Sequence, residues 1–504
     1  MSIHIPEKFL GRIGYQIMPD RFCRAGPKPE PMEGRIIKSW DNFEASWKPE
    51  ADGEFRNRDF VGGNLKGIAS KLDYIKNMGF DLIYLNPISF SDTYHHYDIL
   101  DQTMIDPYIG DWQDFEEFCQ EAHKRDMLVV VDLVFNHKSI MSESVQKALE
   151  GDQKSRKLFE YNESTGKLNH WDVFEDFIQC NKLDPDFQEE ACGIGELYVR
   201  KGADGIRLDL GEKFPKEFMD VFSARVKALN SEILIINERW KYSTDNARYI
   251  DNADTVMNYP ATDAIMRWVR WGNFQHLLYT FQRIAEYPEQ VQNVLWNLMD
   301  SHDTPRALTM LVGAGMNEEP IHGDQIWNIE SRWHKANSFL TYEFREWEFR
   351  EGPNIAAIKV ARKKLNVALF ICYNLCGNPF IFSGTELGVY GYKDPFNRIP
   401  YPWHIANQIA RGFKNEVFTN VVNLGQYKKS NNDILATGSM QVEASSDIAK
   451  IVRSNNQGTI IAFANRSNNV QKLGNLYQNS TVVFNSGNNS STELEPYGCI
   501  ALRI

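Results

Sequence analysis

The sequence predicts an α/β fold, a closed (β/α)8 TIM barrel, and three observations predict it. Eight apolar runs of strand length recur with helical patterns between them, and such alternation favours a closed barrel over an open doubly wound sheet. Four of the runs end in charged or hydrogen-bonding residues: VVVDLVFNH (129–137), GADGIRLD (202–209), ILIINERW (233–240) and WNLMDSHD (296–303). Buried parallel strands are nearly all apolar, and a carboxylate is almost never buried without a partner. Asp132, Asp209, Glu238 and Asp303 on such strands therefore cost stability and point to an active site at the carboxyl face of a barrel. Finally, 504 residues exceed one ordinary domain but suit a barrel with insertions.

In chain order the strand-like runs are IGYQIM (13–18), DLIYLNP (81–87), MLVVVDLVF (127–135), DGIRLDL (204–210), EILIINE (232–238), DTVMNYP (254–260), VLWNLMDS (294–301) and PFIFSGT (379–385). Between them, residues 64–78 carry Leu65, Ile68, Leu72, Ile75 and Met78 at helical spacing, and 112–125 carry Trp112, Phe115, Phe118, Cys119 and Ala122 likewise. Pro215 suits the first position of a helix reaching Leu229. The apolar stripes read as core packing. Three connections, 20–63, 138–185 and 308–356, are long for barrel loops and follow strands on the catalytic face, which marks them as functional or disordered. The barrel thus occupies 1–431, with a small inserted domain at 138–185. From 432 to 504 the runs ILATGSM, IAKIVRS, GTIIAFANRS, STVVFN and CIALRI, separated by Asn/Ser/Gly turns, predict a C-terminal antiparallel β domain, read as a β-sandwich.

Composition narrows the function. Apolar content of 42% with 12% aromatics is globular, and a net charge of −12 repels phosphate backbones and anionic lipid, so neither nucleic acid nor membrane is an expected partner. No window approaches the roughly 18 uninterrupted apolar residues of a membrane span, and MSIHIPEKFLGRIGYQIMPDRF lacks the features of a signal peptide. Seven scattered cysteines without metal-ligand spacing suggest reduced thiols, and with them a cytoplasmic location.

The acids suggest the chemistry. Cleaving a glycosidic bond takes one carboxylic acid to protonate the leaving oxygen and one carboxylate on the opposite face of the sugar; a third stabilises the developing positive charge. Asp209, Glu238 and Asp303 meet these needs if the fold gathers them. Arg207, two residues before Asp209, points to the same side of its strand and is expected to keep that Asp ionised. His137 and His302 end two other strands as hydrogen-bond donors. Singly, each residue reads more readily as a helix cap, a satisfied histidine or a salt-bridge partner; four coordinated strand ends reverse that.

DLVFNH (132–137), GIRLDLGEK (205–213), NERW (237–240) and DSHD (300–303) resemble, in order and spacing, the four motif regions of the α-amylase family, glycoside hydrolase family 13. YQIMPDRF (15–22), RDFVGGNLKGI (58–68), YHHYD (94–98), MNYPATD (257–263) and KDPFNRIPYPW (393–403) resemble its cyclomaltodextrinase, neopullulanase and maltogenic amylase branch. The resemblance implies that Asp209 is the nucleophile, Glu238 the acid/base and Asp303 the transition-state stabiliser. It places His95, His137, Arg207 and His302 around the sugar on the non-reducing side, Tyr97 stacked on its ring, Trp240 on the leaving-group side, and Asp394 with Arg398 on the next sugar outward. Asp132 is expected to bond within the barrel. The implied substrates are maltooligosaccharides, cyclodextrins or pullulan-type α-glucans, with α-1,4 and α-1,6 bonds both open. An oligo-1,6-glucosidase or transglycosylase of the same family is the enzymatic alternative, and an inactive carbohydrate-binding barrel the alternative of another class.

Departures from the branch matter as well. The barrel begins near residue 11, without the branch's N-terminal β-sandwich, so no oligomeric state is implied. The loop after PDRF reads CRAGPKPEPMEG in place of calcium ligands, and Gly62-Gly63-Asn64 replaces Gly-Gly-Asp. No cofactor is expected, and calcium has a single candidate ligand, Asn136. Leu210-Gly211-Glu212-Lys213 replaces the usual Val-Ala-Asn-Glu, leaving linkage preference open. Residues 313–352 extend the loop after the seventh strand with many aromatics and are read as a lid that favours short or cyclic substrates.

Overall fold

The computed structural model describes residues 5–41, 43, 57–172, 174–243, 253–312, 355–391, 394–474 and 480–504. The expected lid at 313–352 lies outside the described residues.

All eight expected runs form strands: β1 (Gly14–Ile17), β2 (Leu82–Leu85), β3 (Leu128–Leu133), β4 (Gly205–Leu208), β5 (Leu234–Asn237), β6 (Thr255–Val256), β7 (Trp296–Leu298) and β8 (Asn378–Phe382). They pair in parallel in the order β6-β5-β4-β3-β2-β1-β8-β7. A parallel bridge between Met257 and Trp296 joins β6 to β7 and closes the ring, with the Asn258 N–H donating to the Trp296 carbonyl at 2.8 Å.

Strand parity sorts the side chains. Ile83, Leu85, Val129, Val131, Leu133, Ile206, Leu208, Ile233 and Ile235 face the helices and join the large outer core. Leu82, Tyr84, Leu128, Val130, Leu234, Ile236, Met257, Trp296, Leu298 and Phe380 fill the barrel interior. Trp296 stacks on Phe380 with centroids 4.2 Å apart. Gly14 makes room for that ring, since a Cβ there would lie 2.1 Å from it. The inward parity of β3, β4 and β5, carried to their carboxyl ends, falls on Asp132, on Arg207 and Asp209, and on Glu238.

The 64–78 helix is broken into Leu65–Ala69 and Leu72–Asn77. Asn64 caps the first piece, its Oδ1 accepting from Gly67 N–H at 2.7 Å. Trp112–His123 is a helix as expected, capped by Asp111. Pro215 corrects the reading of the next: it is the extended N-cap (ψ 147°) of Lys216–Leu229, one residue before the helix starts.

The insertion after β3 holds a three-stranded antiparallel sheet, with Phe174–Gln179 between His137–Ser139 and His170–Trp171. Past residue 432, the first run departs from expectation. Ile434 and Leu435 sit in a short helix, Asn432–Leu435, and the strand begins only at Ser439. A five-stranded antiparallel sheet and a two-stranded ribbon, Gln471–Lys472 with Glu493–Leu494, follow. Arg453, fully buried, ties that sheet to the barrel by donating to the carbonyls of Gly438, Asn374 and Leu375. The cysteines are all free and buried. No helix among the described residues is long and apolar enough to cross a membrane.

Candidate active site

At the carboxyl end of the barrel one guanidinium organises three acids. Arg207, fully buried, donates from Nη1 to Asp132 Oδ1 at 2.7 Å and to Asp209 Oδ1 at 3.0 Å. Its Nη2 lies 2.9 Å from Glu238 Oε2. The register explains the gathering, since Arg207 on β4 is the direct partner of Asp132 on β3 and of Ile236 on β5, two residues before Glu238. Asp132 also accepts from the hydroxyls of Tyr84 at 2.6 Å and Tyr97 at 2.7 Å, which fits the bonding expected of it.

Glu238 is held on both oxygens. Oε1 accepts from the Trp240 indole N–H at 2.9 Å and Oε2 from the main-chain N–H of Leu210 at 2.8 Å. Leu210 aims that N–H from a left-handed backbone (φ 50°), a conformation that costs a branched residue energy and recurs at functional sites. Trp240 stacks on Tyr259 at 3.8 Å with planes 6° apart, and the Tyr259 hydroxyl meets Ser301 Oγ at 3.2 Å.

Asp303 enters from the end of β7. Its Oδ2 lies 3.2 Å from His302 Nε2 and its Oδ1 3.3 Å from Arg398 Nη2, which also approaches Asp394 Oδ2 at 3.6 Å. Gln16 Nε2 meets His302 Nδ1 at 2.8 Å and donates to Asn86 Oδ1 at 3.0 Å. With that amide donating, the imidazole proton sits on Nε2 and faces Asp303. Tyr97 stacks flat on His302, centroids 5.1 Å apart and planes 4° apart.

The remaining histidines have defined roles. The Tyr97 N–H donates to His95 Nδ1 at 3.1 Å, so the proton of neutral His95 is on Nε2. His137 Nε2 donates to the Tyr97 carbonyl at 3.0 Å, and its ring lies 4.4 Å from Phe177 of the insertion, 4° from parallel. Burial lowers all three, His137 to about 4 and His95 and His302 well below the usual imidazole value. They are neutral donors and acceptors at neutral pH.

The acids move the other way. Burial raises Asp209 well above the ordinary carboxylate range; Arg207 opposes this, and the negative charges of Glu238, Asp132 and Asp303 add to it. Arg207 pulls Asp209 toward its ionised form as expected, but desolvation and the neighbouring acids push harder the other way. Asp303 is pushed up to about 7 by burial and by the charge of Glu238, against the pull of Arg398.

The structure thus brings together Asp209, Glu238, Asp303, Arg207, His95, Tyr97, His137, Trp240, His302, Asp394 and Arg398. Sequence reading missed Gln16, Asn86, Tyr84, Tyr259 and the Leu210 N–H. Gln16 carried a signal, a polar residue at an inward-facing position of an apolar strand; a main-chain donor carries none.

Asn136 does not fit a calcium ligand. Its carbonyl and side-chain oxygens both lie 3.5 Å from the ammonium of Lys182, and calcium needs six or more oxygens at about 2.3–2.6 Å with no cation among them. Around PDRF and Gly62-Gly63-Asn64, Asp20 accepts from the N–H groups of Val61 and Gly62 and pairs with Arg21, while Asn64 Oδ1 is taken by Gly67 and Ala25 N–H. No cluster of three or more His, Cys, Asp or Glu suited to a metal occurs among the described residues.

Comparison with known proteins gives a coherent result. The family description "Alpha amylase, catalytic domain" matches residues 16–326. Neopullulanase 2 of Thermoactinomyces vulgaris is 28% identical over 80% of this chain and 61% of its own length. Cyclomaltodextrinase of Thermoanaerobacter pseudethanolicus is 29% identical over 78% and 60%. The chain thus spans about three fifths of the length of these relatives. An intracellular maltogenic amylase of Bacillus subtilis is 26% identical over 94% of this chain. Among solved structures, a cyclic α-maltosyl-(1→6)-maltose hydrolase from Arthrobacter globiformis superposes with a TM-score of 0.76 at 21% identity, covering 99% of this chain and 100% of its own. That likeness shows the fold.

Proposed function

The chain belongs to the α-amylase family of glycoside hydrolases, and from that premise we propose that it is a retaining enzyme acting on short or cyclic α-glucans. One observation carries the reading: a single buried guanidinium holds the two acids of a double displacement side by side, Asp209 at 3.0 Å and Glu238 at 2.9 Å.

Asp209 attacks the anomeric carbon while Glu238 protonates the leaving oxygen; Glu238 then takes a proton from water, which attacks the anomeric carbon, breaks its bond to Asp209 and frees the sugar. Substrate entry displaces water and reorders the acid cluster. A developing positive charge on the sugar favours an ionised Asp209 and Asp303, which burial otherwise resists. The binding energy of the glucan offsets that cost, so the stabilisation is realised most fully in the transition state. Neutral His95 and His302 offer Nε2–H donors, and the Trp240–Tyr259 stack walls the leaving-group side.

Maltooligosaccharides, cyclodextrins and pullulan are the proposed substrates, by likeness to relatives named for such activities. An intracellular setting accords with the relative named for it. Product analysis after incubation with cyclodextrin, pullulan, maltotriose, isomaltose and starch tests the proposal. Maltose and glucose from cyclodextrin or maltotriose, with retained anomeric configuration, are expected. No cleavage of any of the five, or inverted products, overturns it.

A further inference from the structure

Asp132 sets the direction of a chain of hydrogen bonds that ends at His302. Its carboxylate accepts from Arg207 at 2.7 Å, from Tyr84 at 2.6 Å and from Tyr97 at 2.7 Å. The guanidinium has only hydrogens to offer, and burial keeps both phenols protonated, so every partner of this acid is a donor. Tyr97 thus uses its one hydrogen on Asp132, and the atom 2.9 Å from its oxygen is a donor in turn, Nδ2 of Asn86. That orients the Asn86 amide and turns its Oδ1 to Gln16, whose Nε2 donates to it at 3.0 Å. The second hydrogen on the same nitrogen points at His302 Nδ1, 2.8 Å away. Nδ1 therefore accepts, and the Nε2–H of His302 stands 3.2 Å from Asp303 Oδ2.

The members of this chain come from separate elements. Asp132 lies on β3, Asn86 just past β2, Gln16 on β1 and His302 past β7. Gln16 and Asn86 are both buried, which costs stability for an amide unless its bonds are made. Gln16 makes its two contacts through nitrogen, while its Oε1 has no hydrogen-bond partner among the described residues. The other charged or titratable groups that His302 senses are Arg398, Arg207 and His95. An imidazolium at His302 would add a further cation beside the sugar, against the positive charge that develops on it.

We propose that Gln16 and Asn86 are positioning residues that pass hydrogen-bond direction from Asp132 to His302, so that His302 stays neutral and keeps its proton on Nε2, facing Asp303. The consequence for turnover rests on the reading of Asp303 as the acid that stabilises the transition state. The relay links the environments of two acids that do not touch: the one that shares Arg207 with Asp209, and Asp303. Gln16→Glu keeps the shape of the side chain and removes the two donors, so Nδ1 of His302 has to carry the hydrogen instead.

Imidazole 15N spectra of the full chain read the tautomer directly, His302 being the residue whose signals are missing in His302→Gln. Wild type is expected to keep Nδ1 bare and Nε2 protonated from about pH 6 to pH 8. In Gln16→Glu, Nδ1 should be protonated. Its kcat on maltotriose should fall roughly tenfold or more while KM moves little, and its pH profile of kcat/KM should gain an ionisation that wild type lacks. Asn86→Leu cuts the relay one link earlier and should show both tautomers. A protonated Nδ1 in wild-type His302 overturns the proposal, and so does a folded Gln16→Glu with the wild-type tautomer and pH profile. Should Gln16→Glu not fold, Asn86→Leu decides, and a single Nε2-protonated His302 in it overturns the relay. Asp303→Asn separates this proposal from the functional reading. Full activity in Asp303→Asn overturns that reading, whereas loss of activity there beside an unimpaired Gln16→Glu overturns the relay alone.

Discussion

Trp240 donates its indole N–H to Glu238 Oε1 at 2.9 Å while its ring lies 3.8 Å from Tyr259. The two contacts are separable. Trp240→Phe keeps a ring on Tyr259 and deletes the donor, and a hydrogen bond to a charged group is worth about 1.5–3 kcal/mol. Turnover should fall roughly ten- to a hundredfold with little change in melting temperature. Trp240→Ala should add a rise in KM. Wild-type kcat in Trp240→Phe would show that Glu238 is oriented without it.

Asp209→Asn removes the proposed nucleophile yet keeps its shape. Turnover should drop by roughly three orders of magnitude or more. Because burial and three neighbouring acids disfavour a charge at this position, melting at neutral pH should stay level or rise. A folded variant of comparable activity would sink the assignment.

The charge on Asp303 sets a pH signature. In the folded protein this carboxyl is raised to about 7 from an ordinary 3.8. Its contribution to stability is therefore fully present below the unfolded value and is lost as pH rises through the folded one. Asp303→Asn lacks that loss. Its melting temperature relative to wild type should climb between about pH 4 and pH 7 and level off above. A difference that is flat across this window, or falls, refutes the environment described for Asp303.

Gly14 tests the barrel interior. A Cβ at this position would meet the Phe380 ring at 2.1 Å, and overpacking of this kind costs about 1–3 kcal/mol. Gly14→Ala should unfold earlier in urea, and Phe380→Leu in the same chain should return part of the loss. Strictly additive effects would mean that the two positions do not share the space.

The eight strands were legible because each is a short apolar run, and burial on both faces of a parallel strand leaves no other pattern. The same parity argument foretold that Arg207 and Asp209 share a side, and the strand-end positions of Glu238 and Asp303 marked the site. Breaks in local structure were less legible. Residues 64–78 keep one apolar stripe across a kink at Ser70–Lys71, since periodicity records which side is buried and not whether the backbone runs on. Ile434 and Leu435 are apolar enough for a strand, yet pack as one helical turn with Arg503 held to Asp433 at 2.6 Å.

By itself the sequence determined the barrel, the strand ends that carry the acids, and the histidines and aromatics around them. Only tertiary structure decided which partner each charge takes. Arg207 could have served Asp209 alone; barrel register gives it Asp132 and Glu238 too, and burial raises Asp209 against the pull of that shared cation. Asn136 looked like a ligand awaiting a metal, but Lys182, 46 residues on, reaches the same oxygens. Charge partners and desolvation depend on distances in space, and linear order fixes those only where strands lie in register.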